Sequence, residues 1–150
     1  MALTSEDILY IACEMEKRAI SLYRRAELLI SDEAVLEQIR AIRADEQNHF
    51  ALFSGKRASL LPPLRAALLS SIAAARFHPG ALSGMARGHA FSSVQALLLF
   101  AMGEERRAID AYGHMHKSAR DASVRELLKQ VISEEEQHLA ALDNTLSTIE

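Results

Sequence analysis

The sequence predicts an all-α protein folded as a four-helix bundle, and two observations support this class. Residues with high helix propensity dominate the chain, and its apolar residues recur at spacings of three and four rather than in alternation. Helix-breaking residues are concentrated, because the three prolines lie between positions 62 and 79 and three of the six glycines lie between 80 and 88. We therefore expect two helical regions separated by one long link.

Each region should contain two long helices joined by a tight turn. We expect these helices over about residues 5–30, from just after 31 to near 55, over about 92–117, and from about 121 to near the C-terminus. Thr4 and Asp7 form a capping pair before the first helix, and Asp32 and Glu33 suit the positive end of the second helix dipole. Each pair should form an antiparallel hairpin, and residues 1–150 should form a single domain.

The link between the second and third long helices spans some 35 residues, too many for a simple turn. Four apolar residues at helical spacing predict a short amphipathic helix within this crossing, opened by the prolines at 62 and 63: Leu64, Leu68, Ile72 and Ala75. A crossing of this length allows the third helix to start at the far end of the bundle, so that the two hairpins lie side by side.

Composition and charge exclude several function classes. A net charge of −3 over 150 residues argues against a nucleic-acid partner, which requires a concentrated basic face. Cys13 is the sole cysteine, so we expect neither an intrachain disulfide nor a thiolate zinc site. The first ten residues do not resemble a signal peptide, and the longest apolar run, residues 96–102, is too short to span a membrane. We therefore expect a cytoplasmic protein with no membrane partner.

The two helical regions repeat one another at a fixed offset of 89 residues. Residues 16–23 read EKRAISLY and residues 105–112 read ERRAIDAY. The register continues through the turn and the following helix, where the offset pairs Asp32 with Asp121, Val35 with Val124, Glu37 with Glu126, Glu46 with Glu135 and His49 with His138. An unbroken offset over two helices and a turn predicts two hairpins of one design, related by an approximate two-fold axis.

Charged residues interrupt the apolar stripe of every long helix. Six of them lie in phase with the core and should meet in one layer near the middle of the bundle: Glu16, Glu46, His49, Glu105, Glu135 and His138. Five other acids fall out of phase and should face solvent: Glu14, Asp45, Glu104, Glu134 and Glu136.

Four buried carboxylates cannot all stay ionised without compensation, because desolvation and mutual repulsion oppose it. Two divalent cations would balance the charge, and a set of carboxylates and imidazoles suits iron or manganese. The alternative is a metal-free hydrogen-bonded network of Glu, His and Tyr. The doubled, in-phase pattern favours metal.

This pattern resembles the ferritin-like di-iron carboxylate superfamily, and specifically its rubrerythrin-like branch. In that superfamily two helices each contribute a Glu and the other two each contribute a Glu-x-x-His pair. The resemblance covers about residues 5–55 and 92–148 and not the crossing. It implies that Glu46 and Glu135 bridge two iron ions, that Glu16 and Glu105 are terminal ligands, and that each His binds one ion. Manganese, mixed iron–manganese and zinc-substituted sites are alternatives.

Further residues surround this ligand set. The remaining N–H of each ligand His needs an acceptor, and Asp45 and Glu134 are candidates. Tyr23 and Tyr112 lie two turns beyond the lone glutamates on the same face, where a core aromatic with a satisfied hydroxyl is favoured over a redox role. His78, His89, His114 and His116 lack in-phase carboxylate partners and should be surface or loop residues.

The resemblance implies a non-haem di-iron oxidoreductase of peroxidase or ferroxidase type, acting on hydrogen peroxide or on dioxygen and ferrous iron. Two departures from the family matter. Met102 replaces the extra Glu that peroxidase members carry one turn before the third-helix ligand, which puts efficient peroxide reduction in doubt. The chain also lacks the cysteines of a rubredoxin domain, so electrons would come from a separate protein such as a rubredoxin.

Two other functions are consistent with the sequence. An iron-storage or detoxification module of ferritin type requires a hollow shell, but the sequence contains no fifth C-terminal helix of the ferritin kind. A metal-free helical scaffold could instead dock a partner on the apolar crossing, residues 60–76. The apolar surface of that crossing also predicts a homodimer in any of these cases.

Overall fold

A computed structural model describes residues 2–76 and 93–149 of the chain. Within these ranges the protein is all-helical, without strands, as the sequence predicts. Its helices are α1 (Ser5–Leu29), α2 (Glu33–Gly55), α3 (Pro63–Arg76), α4 (Val94–Ser118) and α5 (Ala122–Ile149). No helix in the described ranges has the length and hydropathy needed to cross a bilayer. The expectations for His78 and His89 lie outside the described residues.

Local capping explains where the first two helices begin. The Thr4 hydroxyl accepts from the backbone N–H of Asp7 at 3.1 Å, and the Asp7 carboxylate accepts from the backbone N–H of Thr4 at 2.8 Å. This reciprocal capping box confirms the predicted pair. Asp32 caps α2 by accepting from the backbone N–H of Val35 at 3.0 Å.

The long helices pack in sequence-adjacent pairs. α1 contacts α2 along its length and α4 contacts α5 in the same way, with smaller contacts between α1 and α4 and between α2 and α5. Two separate apolar clusters form inside this arrangement. Along every long helix the predicted ligand Glu falls between members of the two clusters: Met15 and Tyr23 around Glu16, Ile42 and Phe53 around Glu46, Met102 and Ala108 around Glu105, and Val131 and Leu142 around Glu135. The polar layer is therefore sandwiched between two apolar layers.

The short helix in the crossing is present, but its predicted apolar face is wrong in three of its four members, since Ile72 alone of these four packs partly buried against the core. Leu69 and Ala73 are the fully buried residues of α3, whereas Leu64 is 89% exposed and Leu68 is 46% exposed. Ala75 is exposed as well. The sequence of α3 places apolar residues on several faces of the helix. Their spacing alone is therefore consistent with more than one buried face.

Polar contacts with α1 orient α3. Arg65 Nε donates to Asp7 Oδ1 at 2.8 Å, and Arg65 Nη2 donates to the other carboxylate oxygen. The Tyr10 and Ser70 hydroxyls are hydrogen-bonded at 3.0 Å. The Arg65 guanidinium holds the pKa of the fully buried Asp7 carboxyl down at about 2. These contacts turn Leu69 and Ala73 towards the core.

Candidate metal centre

The six in-phase polar residues come together as two adjoining groups. In each group every residue offers one ligand atom, and these atoms lie within 4.8 Å of one another. We call the first group half-site 1 and the second half-site 2. Half-site 1 consists of Glu16, Glu46, His49 and Glu135, and half-site 2 of Glu46, Glu105, Glu135 and His138. Glu46 and Glu135 are common to both.

All six side chains are withdrawn from solvent, with exposures between 0% and 4%. They come from the four long helices, with Glu16 on α1, Glu105 on α4, and a Glu-x-x-His pair on each of α2 and α5. In a helix, residues three apart lie on the same face, so each pair presents its carboxylate and its imidazole together.

The imidazoles approach the carboxylates through Nδ1, and the two half-sites match closely. His49 Nδ1 lies 3.3 Å from Glu135 Oε1, 3.4 Å from Glu46 Oε1 and 3.7 Å from Glu16 Oε1. His138 Nδ1 lies 3.2 Å from Glu46 Oε1, 3.3 Å from Glu135 Oε1 and 3.8 Å from Glu105 Oε1. The geometry therefore has the two-fold character that the sequence repeat predicts.

The spacings from each Nδ1 to Glu46 and Glu135, 3.2–3.4 Å, fit one cation in each half-site, and those to Glu16 and Glu105 are longer at 3.7 and 3.8 Å. Bonds from imidazole nitrogen or carboxylate oxygen to a divalent metal measure about 2.1 Å, so adjacent ligand atoms are separated by about 3.0–3.4 Å at octahedral or tetrahedral angles. Among the residues that the structure describes, one atom of each of the six has no hydrogen-bond partner despite being buried: Glu16 Oε2, Glu46 Oε1, His49 Nδ1, Glu105 Oε2, Glu135 Oε1 and His138 Nδ1. Buried polar atoms are normally paired, so this converging set of six unpartnered atoms is one that could hold metal ions.

An acid from the opposite hairpin holds the outer nitrogen of each imidazole. His49 Nε2 lies 2.6 Å from Glu134 Oε2, and His138 Nε2 lies 2.9 Å from Asp45 Oδ2. The acids suggested by the sequence are therefore in contact with the histidines. In the neutral imidazole that can bind a metal, a carboxylate acceptor keeps the proton on Nε2 and leaves the lone pair on Nδ1.

The two tyrosines also reach across the molecule. Tyr112 donates its hydroxyl proton to Glu16 Oε1 at 2.6 Å, and Tyr23 donates to Glu105 Oε1. Burial, followed by the neighbouring carboxylates, raises the pKa of both phenols well above the ordinary value. Both tyrosines therefore act as hydrogen-bond donors that orient the lone glutamates, consistent with core aromatics whose hydroxyls are satisfied.

The four carboxyl groups of the centre differ in the direction of their pKa shifts. Burial raises the pKa of Glu46 well above its ordinary value, and Glu16 and Glu135 raise it further. Burial is also the main cause of the raised pKa values of Glu16 and Glu105. Burial opposes ionisation of Glu135 too, but the two imidazoles, each 3.3 Å away, outweigh it and lower the pKa of Glu135.

The pKa values of both histidines are raised, as expected for imidazoles beside carboxylates. Burial lowers the pKa of His138, but the close carboxylates, Glu135 foremost, outweigh it and raise that pKa to about 9. Carboxylates likewise overcome the burial of His49 and raise its pKa. Protons and divalent cations are two ways of balancing the same charge, so a cation must displace protons as it binds.

Comparison of the chain with protein-family models, curated proteins and solved structures found no match. The resemblance to rubrerythrins therefore rests on the ligand pattern in the sequence of this chain alone.

One acid does not lie where the sequence suggests. The helical spacing predicts that Glu104 faces solvent, but the residue is only 3% exposed, and Arg107 Nη1 lies 3.9 Å from Glu104 Oε1. The buried face of α4 is wider than one stripe, because α4 contacts α1 and α3 as well as α5. The signal was present in the sequence, since apolar residues flank position 104 at helical spacing on a second face: Leu97, Ala101, Ala108, Ala111 and Met115. Of the other out-of-phase acids, Asp45 and Glu136 are exposed, whereas Glu14 and Glu134 are half-buried.

Proposed function

We propose that this protein is a rubrerythrin-like, non-haem di-iron oxidoreductase of ferritin-like fold, with two hairpins forming a four-helix bundle around the metal centre. The observation that carries the proposal is the sharing of two carboxylates by two adjoining half-sites. A single-ion site needs no such duplication, whereas a pair of ions bridged by carboxylates requires it. The unpartnered ligand atoms of the six residues support the same conclusion.

The proposed roles follow from the membership of the half-sites. Glu46 and Glu135 belong to both groups and would bridge the two ions. Glu16 and Glu105 each belong to one group and would be terminal ligands, and each His would bind one ion through Nδ1. In this assignment Tyr112 and Tyr23 orient the terminal carboxylates, and Glu134 and Asp45 orient the imidazoles.

The donor set favours iron or manganese over a structural zinc. It contains only carboxylate oxygens and imidazole nitrogens, and Cys13 is not part of either half-site. Burial raises the pKa of the Cys13 thiol to about 11, which disfavours a thiolate ligand further. When bound, two iron ions would supply the change of oxidation state on which the proposed reaction depends.

The burial of the centre limits the substrate to a small oxidant, either hydrogen peroxide or dioxygen acting on ferrous iron. Met102 is 3% exposed and lies one turn before Glu105 on α4, where a thioether provides no anionic ligand. This position favours the ferroxidase alternative over efficient peroxide reduction. Electrons for any peroxide turnover would come from a separate donor protein of rubredoxin type, and the protein would function as a homodimer in the cytoplasm.

Metal analysis tests this proposal directly. Protein loaded anaerobically with ferrous iron and freed of excess should retain two ions per chain and develop near-ultraviolet absorption when oxidant is added. Glu46→Ala and Glu135→Ala should each lose both ions and the absorption, because each removes a ligand common to both half-sites. Glu136→Gln is the matched control, since this exposed acid lies beside Glu135 but outside both groups.

Retention of two ions by Glu46→Ala and Glu135→Ala would refute the assignment of the centre. Two ions without any oxidation of ferrous iron or reduction of peroxide would leave a metal-binding protein and refute the enzymatic part.

A further inference from the structure

We propose that the two half-sites hold metal unequally: half-site 2 binds its ion more weakly than half-site 1, and Asp45 is the positioning residue that sets this difference. The inference rests on the proposed two-metal function and deepens it by assigning an order of loading. Because Glu46 and Glu135 belong to both half-sites, any inequality must arise from the unshared residues and from what holds them.

Each unshared residue of half-site 2 is more exposed to solvent than its counterpart in half-site 1. His49 is 0% exposed and Glu16 1%, whereas His138 is 4% and Glu105 3% exposed. The outer acids differ more, because the side chain of Glu134 is 34% exposed and that of Asp45 is 59% exposed. Half-site 2 is therefore the side of the centre that lies nearer to solvent.

The hydrogen bonds of the outer acids differ in the same sense. Glu134 accepts from His49 Nε2 at 2.6 Å, whereas Asp45 accepts from His138 Nε2 at 2.9 Å. A mostly exposed carboxylate also exchanges its partner with water more readily, since water competes for its lone pairs and screens its charge. His138 is therefore held less firmly in its metal-binding orientation than His49.

The side chain that packs against the supporting tyrosine is a third difference between the two half-sites. The ring of Phe53 stacks on Tyr112 at a centroid distance of 5.6 Å, and Tyr112 holds Glu16 of half-site 1. The position 89 residues beyond Phe53 is Leu142, so the repeat places an aliphatic side chain where the first hairpin has an aromatic ring. An aromatic pair is worth about 0.5–1.5 kcal/mol beyond its buried area, which stiffens the Tyr112 support.

The expected difference between the two metal dissociation constants is modest. Removing a residue that orients a metal ligand typically lowers metal affinity by about 10- to 100-fold. Weakening one such contact without removing it should give a smaller change, so we expect the two dissociation constants to differ by roughly tenfold.

Zinc is a suitable probe because it does not change oxidation state. Metal-free protein labelled with 15N in its histidines would be titrated with Zn²⁺, and the imidazole nitrogen signals of His49 and His138 followed by NMR. At one ion per chain we expect His49 to show the metal-bound signal and His138 to remain largely unshifted. The second equivalent should shift His138.

Variants of the two outer acids identify their contributions. Asp45→Asn should weaken only the His138 step, by about tenfold or more, and Asp45→Glu should restore part of it. Glu134→Gln should weaken zinc binding at His49, so that the dissociation constants reported by His49 and His138 become more similar. Glu136→Gln and Asp143→Asn are controls on exposed residues of α5, and neither should alter either step.

The possible failures are distinguishable. Simultaneous loading of both histidines, loading of His138 first, or equal effects of Asp45→Asn on both steps would overturn the inference while two-metal binding stands. Binding of fewer than two ions per chain by the wild-type protein would overturn the proposed function itself.

Discussion

The two ring nitrogens of each histidine in the candidate centre face different carboxylates. In His49 and His138, Nε2 faces an acid of the opposite hairpin, while Nδ1 faces the shared carboxylates. The acceptor at Nε2 determines which tautomer is present, and the tautomer determines whether Nδ1 can bind a cation. The chemistry of each imidazole therefore depends on Glu134 or Asp45, acids that lie outside the group of six.

The tyrosine donors lead to a prediction about stability at the level of single residues. Tyr112→Phe removes only the hydroxyl that donates to Glu16 at 2.6 Å, and it leaves a fully buried carboxylate without that donor. We expect the free energy of unfolding, measured with urea on metal-free protein, to fall by about 1–3 kcal/mol.

Tyr10→Phe provides the matched control, because its hydroxyl contacts Ser70 at a partly buried position. This loss should be about 0.5–1 kcal/mol. Equal losses in the two variants would contradict the proposed orienting role of the Tyr112 hydroxyl.

At the scale of elements, α3 shows how a polar contact can decide which face of a helix is buried. Leu64 and Leu68 are more hydrophobic than Arg65, yet Arg65 lies on the α1 side because Asp7 is fully buried there. A buried carboxylate without its cation would cost several kcal/mol, more than the burial of one further leucine contributes. The ion pair therefore outweighs the burial of either leucine taken singly in orienting this helix.

The Asp7–Arg65 pair predicts a pH dependence of stability. Arg65 lowers the pKa of Asp7 to about 2, from an ordinary value near 3.8. A depressed pKa adds stability that is fully present above pH 4 and is lost as the pH falls through about 2. Because Arg65 is partly exposed, we expect about 1–2 kcal/mol.

Urea unfolding of Asp7→Asn and wild type at several pH values measures this contribution. The variant should be less stable at pH 7, and the difference should shrink towards zero near pH 2. Asp32→Asn is a suitable control, because asparagine caps a helix about as well as aspartate. A difference that does not change with pH would show that the ion pair is not the source of the stability.

At the scale of the whole molecule, a layer of ionisable residues separates two apolar clusters, and burying this layer has a cost in stability. Four buried glutamates contribute little to folding by themselves, because burial raises the pKa of three of them and forces protons onto the centre. Metal ions would recover this cost, since they bind the folded state and not the unfolded chain.

Glu46→Gln tests this trade between stability and binding. The substitution removes a buried carboxyl group whose ionisation burial opposes, so the metal-free variant should be as stable as the wild type or more stable, by up to about 2 kcal/mol. Saturating Mn²⁺ should raise the free energy of unfolding of the wild type, and with it the melting temperature; the gain is about 2.7 kcal/mol for each bound ion at 100 times its dissociation constant. The variant should gain much less.

Calorimetry with and without Mn²⁺ measures both effects, with Glu136→Gln as the control that keeps the full metal response. A metal-free Glu46→Gln protein that is strongly destabilised would show instead that Glu46 has a structural role in the core.

The repeat and the helical spacing were sufficient to predict the class of fold and the six members of the candidate centre. A period of 3.6 residues determines which face of a helix a side chain occupies, and an offset of 89 residues predicts that the two halves of the chain share one pattern of core positions. Glu16 and Glu105 could therefore be assigned to the core although they are charged, because their apolar neighbours define the stripe.

Only the tertiary structure decided which neighbour each side chain meets. Periodicity places Asp45 and Glu134 beside the stripe, but it cannot show that each contacts the histidine of the opposite hairpin. The burial of Glu104 and the orientation of α3 likewise depend on contacts between helices that are distant in the chain. Sequence spacing is a property of one helix, whereas pairing depends on how several helices pack, and that packing makes the two halves of a repeated sequence unequal.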